Sequence, residues 1–190
     1  MNIYRDKTKI AMKKKVNIIP GYHIITRDTG VLNGAYVPAS NSPVIYVFWS
    51  STLNKMYNKV INQMHGKQGL LNIVYDVVKE QTKVYEPKQI INKIREIEKG
   101  RESVTLEEIL RVKAGICKHD ALACAALLEK LKEDGHVSGT ARVHRQTVYD
   151  GKYNGGHAWC HYTNSVGKKF ILDVAIGYVG PIEGGKYPYF

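Results

Sequence analysis

The spacing of apolar positions changes period along the chain, and that change sets the expected architecture. Leu53, Met56, Tyr57, Val60, Ile61 and Met64 recur at i, i+3, i+4, i+7, i+8 and i+11, a continuous helical stripe that Ser51 can cap and that Gly66 and Gly69 end. A second helix follows with Leu70, Ile73, Val74, Val77 and Val78 on its inner face. Pro87 then starts a third, running through Ile90, Ile91 and Ile94 to Gly100. Thr105 with Glu108 forms a capping box for a short helix carrying Leu106, Ile109 and Leu110. The helix that opens at Cys117 is apolar nearly all round: Cys117, Ala121, Cys124, Ala125, Leu128 and Leu131 share one stripe, and Leu122 and Leu127 widen it. Such a helix is buried.

Past Gly135 the period falls to two. Thr140 to Tyr149 alternates Ala141, Val143 and Val148 with polar neighbours, and two further strands, Gly156 to Tyr162 and Lys169 to Ala175, flank a separator with hairpin chemistry. Ahead of the helices, Val16 to Trp49 is rich in β-branched and aromatic residues but broken by Pro20-Gly21, Asn33-Gly34 and Asn41-Ser42-Pro43. It reads as short strands and loops, with Val44 to Trp49 the most strand-like part. The expected class is α+β, with a helical first half and a β-rich second half.

Composition narrows the partners. The 190 residues suit one domain with a substantial core. Net charge is +11, but Arg5, Lys7, Lys9, Lys13, Lys14 and Lys15 against Asp6 put +5 of it in the first fifteen residues, and the rest is scattered without the aromatic-interleaved basic motif of a nucleic-acid module. The start therefore reads as a solvated basic arm rather than a binding arm for phosphate or acidic lipid. No apolar run approaches the ~20 residues of a membrane span, and Met1 to Lys15 lacks the apolar centre of a secretory signal. Three cysteines at unrelated spacings suggest reduced thiols and a cytoplasmic setting, although a protein exported without a cleaved signal would look the same.

Three residues carry the candidate chemistry. Cys117 falls in the first turn of the buried helix, where free N–H groups and the positive end of the dipole stabilise a thiolate, and Gly115 beside it would let a substrate approach the backbone. If the hairpin is centred on Ser165, opposed residue numbers sum to 330, and His157 then faces Asp173 directly on one side of the sheet. An imidazole so placed can donate to the carboxylate and turn its other nitrogen outward. Nucleophile Cys117, base His157 and orienter Asp173 form the cysteine version of a catalytic triad. The Cys117 backbone N–H would serve one side of an oxyanion site, and Gln81, Tyr85 and Trp49 are candidates for the second donor, with Gln81 late enough in the second helix to face the cleft. Trp159 reads as a core aromatic beside the site, with a cleft-wall role as the alternative. His161 shares the face of His157 and is the rival base, but would oppose Lys169. Cys124 and Cys160 read as core, Cys160 packing with Ala158 and Tyr162, and His119, His136 and His144 as surface. A zinc site from His157, Cys160, His161 and Cys117 matches no common ligand spacing, so no metal and no cofactor is expected.

Gly115-Ile116-Cys117 opening a helix, His157-Ala158-Trp159 on a strand forty residues later and Leu172-Asp173 on the next strand resemble, in order and spacing, the three motif blocks of the transglutaminase-like superfamily. The likeness covers roughly Thr105 to Ala175. It implies a papain-like α+β fold with the nucleophile helix packed on an antiparallel sheet, a catalytic domain over residues 51–190 behind a basic arm and β/loop extension over 1–50, and acyl transfer through a thioester at an amide carbonyl of a protein or peptide substrate. Water as acceptor would give a protease, amidase or deamidase, and an amine a transglutaminase. The alternatives from other classes are a binding module that keeps the fold without turnover, and a nucleic-acid-associated protein using the basic arm.

Overall fold

The computed structural model describes residues 17–38, 41–65, 69–149, 154–184 and 186–189, and the basic arm lies outside them. The chain is a mixed α+β protein, with two four-stranded sheets among the described residues. The first sheet takes β1 (His23–Ile24), β2 (Gly34–Tyr36), β3 (Val44–Val47) and β4 (Ser103–Thr105), and the second takes β5 (Thr140–Tyr149), β6 (Asn154–Thr163), β7 (Lys169–Asp173) and β8 (Tyr178–Pro181), each in that spatial order. The second sheet is antiparallel throughout. Among the described residues no helix is long and apolar enough to cross a membrane.

Between the sheets in sequence run α1 (Ser51–Gln63), α2 (Leu70–Thr82), α3 (Pro87–Glu98), α4 (Leu106–Arg111) and α5 (Cys117–Glu133). Their starts follow local chemistry. Ser50 rather than Ser51 caps α1, its side chain accepting from the Leu53 N–H, and Ser51 becomes the first helical residue. Pro87 opens α3, and the expected capping box of Thr105 and Glu108 starts α4. α5 is the centre of the molecule. From Ala121 to Leu128 every residue is buried, and these side chains join Val74, Val77 and Val78 of α2 and Ala141, Val143, Ala158, Cys160 and Leu172 of the second sheet in one core.

Residues 17–38 and 41–50 pack on this body. β3 pairs with β4 some sixty residues on, Val31, Tyr36, Ile45 and Val47 lie in the main core, and Glu129 of α5 accepts from the N–H groups of Val31 at 2.6 Å and Leu32 at 3.0 Å. A side chain late in a helix thus fixes a loop nearly one hundred residues earlier.

The β6–β7 pairing differs from expectation by one step in loop centre. Thr163 pairs with Lys169 and Cys160 with Leu172, so paired numbers sum to 332 and the turn centres on Val166. Asn164 sets that turn: its side-chain oxygen accepts from the N–H groups of Val166 and Lys168, while Gly167 takes the left-handed conformation at φ 81°. His161 accordingly faces Ile171, not Lys169.

Replacing Glu129 by alanine strips two N–H groups of a charged acceptor and is expected to cost about 2–3 kcal/mol, read as a lowered midpoint in urea unfolding.

Candidate active site

The first turn of α5 is held from below. Lys83, just past α2, donates from Nζ to the Gly115 carbonyl and to Asp120 Oδ2, each at 2.6 Å. Asp120 is buried, which pushes its carboxyl pKa up against the pull of the Lys83 charge. A Cβ on Gly115 would lie 2.7 Å from Asp120 Oδ1 and 2.8 Å from Thr82 Cβ. The glycine is therefore required by the approach of α2 to this loop, and not by passage of a substrate as its position had suggested. His119, expected at the surface, is wholly buried and closes the helix start by accepting from the Ile116 N–H at Nδ1, 3.3 Å away. Burial drives its pKa well below the usual histidine range, so it is neutral. Lys118 pairs with Glu98 of α3 at 3.0 Å. The three polar residues after the cysteine thus anchor its helix to α2 and α3.

This anchoring leaves Cys117 half-exposed as the first residue of α5, where the Ile116 carbonyl takes the N–H groups of His119 and Asp120 and a helix provides no acceptor for the two N–H groups before them. His157 comes to it from β6. The β6–β7 ladder stops at Cys160, so β6 continues paired with β5 alone and is open on its other side at His157. Side chains still alternate: Ala158, Cys160 and Tyr162 turn into the core, and Trp159 turns to the opposite face with Ile171 and Tyr187.

His157 and Asp173 meet despite the altered register. The shift by two in pairing preserves the face, and His157 becomes a diagonal rather than a direct neighbour of Asp173, within reach of two such side chains. The imidazole donates from Nε2 to Asp173 Oδ2 at 2.6 Å. That leaves Nδ1 to face the cleft that the Cys117 thiol also lines. Burial alone would lower the imidazole pKa, but the bond to Asp173 and the neighbouring Cys117 thiol outweigh it and hold the ring up at about 9. The sequence-derived Cys117, His157 and Asp173 are brought together.

A fourth group was not anticipated. Tyr187 donates its hydroxyl to the same Asp173 Oδ2 at 2.7 Å and is 4 % exposed. Burial and the adjacent carboxylate push its pKa up, so it stays a donor and fixes the carboxylate from behind. Sequence offered only a Tyr-rich end to the chain as a signal. Tyr189 adds an edge contact to the His157 ring, with centroids 5.1 Å apart.

The other predicted residues go elsewhere. Gln81 does not face the cleft: its amide donates to the Leu110 carbonyl at 2.7 Å and ties α2 to α4. Trp159 is buried with its ring 5.9 Å from that of His157, supporting the imidazole from the side rather than lining the cleft. His161 stacks on His144 at 4.4 Å, away from Cys117. Cys124 and Cys160 are fully buried, and burial pushes both thiols up.

Cys117 and His157 open into a cleft of about 310 Å³ with three walls. Ile116 to Lys118 form one, Arg145 and Gln146 of β5 with Gly156 to Ala158 of β6 the second, and Tyr36, Pro38 and Ser42 from the first sheet and its loop the third. The arrangement can deliver a sulfur nucleophile to a carbonyl and move one proton to and from the leaving and entering groups. Compared with known proteins, the chain matches no family model, no curated protein and no solved structure.

Two outcomes test this geometry. Under native conditions iodoacetamide is expected to modify Cys117 alone, with Cys124 and Cys160 reacting only on unfolding, as read by mass spectrometry of peptides. Titration of the His157 ring by NMR is expected to give a midpoint near the raised value of about 9 and to fall in Asp173→Asn. Because the folded value lies above the unfolded one near ~6.5, the stability this ring contributes is complete below pH ~6.5 and is lost as pH rises toward the folded value.

Proposed function

We propose that the chain is a cysteine-dependent acyl-transfer enzyme acting at an amide carbonyl of a protein or peptide, in the manner of the transglutaminase-like superfamily its motif order resembles. The observation that carries the proposal is the imidazole of His157, bonded to buried Asp173 at 2.6 Å and sharing one cleft with the half-exposed Cys117 thiol. A structural cysteine needs neither partner.

The proposed cycle has two halves. In the first, Cys117 gives its proton to His157, its sulfur attacks the carbonyl carbon, and the oxyanion is received by N–H groups at the start of α5. The carbon–nitrogen bond breaks and the amine or ammonia leaves with the proton held on His157. In the second half, water or an amine gives a proton to His157 and attacks the thioester, the carbon–sulfur bond breaks, and the sulfur is released. Asp173, itself fixed by Tyr187, holds the ring in one orientation throughout.

Incubation with a glutamine-containing peptide, with and without a primary amine, sorts the outcomes by mass: a loss of ammonia replaced by water for deamidation, an amine adduct for transamidation, or peptide cleavage. Cys117→Ala is expected to abolish every such product, and Tyr187→Phe to reduce kcat roughly tenfold or more by loosening Asp173. A thioester trapped in neither the parent protein nor His157→Ala, with no product in any arm, would sink the proposal.

A further inference from the structure

Arg145 stands in the wall of the cleft opposite the start of α5, on the strand paired directly with the one that carries His157. Its guanidinium donates to the Val37 carbonyl, and its carbon lies 5.3 Å from the centre of the Tyr36 ring. Those contacts hold the plane of the group while engaging part of its five-donor fork. Among the described residues no carboxylate forms an ion pair with it, whereas Lys118, the other cation of the cleft, is matched by Glu98 at 3.0 Å. Among the described residues, none that lines the cleft is acidic. A half-buried, oriented guanidinium with no counter-charge among the described residues, facing a small cleft beside a nucleophile, is a receptor for a planar anion.

We propose that Arg145 selects acyl donors bearing a carboxylate close to the reacting carbonyl, so that the substrate class is an anionic amide rather than a neutral one. The proposal rests on the reading of Cys117 as nucleophile. Tyr36 has a supporting part: its ring lies against the guanidinium, and its own place in the buried core fixes the height at which the cation stands over the cleft. The N-terminal segment thereby takes part in specificity, through a residue on β2 that contacts β5 across the site.

The test needs no turnover. Rate constants for alkylation of Cys117 by iodoacetate and by iodoacetamide are measured, and their ratio is divided by the same ratio for free cysteine. The expected normalised ratio in the parent protein is roughly tenfold above one, falling toward one in Arg145→Gln and partly kept in Arg145→Lys, the size of effect of one charge-assisted hydrogen bond. A ratio equal in the parent and in folded Arg145→Gln overturns the proposal. Should Arg145→Gln fail to fold, the parent protein decides: glutarate is expected to protect Cys117 from iodoacetamide and glutaramide is not, and equal protection by both overturns it. Peptides then separate the two sources of carboxylate, a glutamine at a free C-terminus against the same peptide amidated, and an internal glutamine beside glutamate against one beside alanine. Turnover without any preference for the anionic members rejects the role of Arg145 while sustaining the acyl-transfer reading. Anion-selective alkylation without turnover does the reverse.

Discussion

The interaction on which the rest depends is the pair of hydrogen bonds that Lys83 donates to the Gly115 carbonyl and the buried Asp120 carboxylate. A helix that begins in the middle of a core must have its first turn fixed by something other than its own backbone, since those N–H groups have no partner behind them. Here a cation from the end of α2 grips the loop on one side and the helix on the other, and the missing side chain at Gly115 lets the two elements close together. Removing the cation would strand a carboxylate 2 % exposed, a configuration that is costly in any interior. The same contacts that stabilise the start of α5 define where the Cys117 sulfur stands.

Around that fixed sulfur the remaining groups are arranged by the sheet. β6 is covered on both sides over its second half and on one side over its first, so His157 has a rigid backbone and an open flank. Asp173 ends β7, where the strand gives way to a turn and its carboxylate also takes the Ile176 N–H at 3.4 Å. Tyr187 returns from beyond β8 to complete the chain of bonds. Each member is held by a different element, and each bond is made by a side chain whose backbone is already determined.

Much of this was legible in the sequence because it depends on period. The helices from α1 to α5, the burial of the Cys117 helix and the common face of His157 and Asp173 follow from spacings of 3.6 and 2 that need no knowledge of the rest of the fold. What was not legible depends on contacts between distant segments. Gln81 has the right place on its helix to face a cleft, yet the Leu110 carbonyl takes its amide, and no local pattern distinguishes the two. His119 looked like a surface residue because its neighbours are charged, but Lys118 and Asp120 are themselves matched by Glu98 and Lys83 inside the protein. Arg145 and Tyr36 lie more than one hundred residues apart, and Tyr187 reads as one of many tyrosines until its hydroxyl is seen on Asp173.

The turn between β6 and β7 carries a consequence of its own. A strand has only two sides, so what the ring and carboxylate require of the connection is that it keep them on the same one, and moving the centre of the turn by one residue satisfied that while changing every partner along the ladder. Lengthening or shortening this connection by pairs of residues would displace the ends yet conserve the side, whereas a single added residue absorbed into one strand would send the imidazole through to the α5 layer. What this exposed loop must conserve is thus the side on which the two strands present their residues, so that an added residue is tolerated where the turn itself takes it up and not where a strand does.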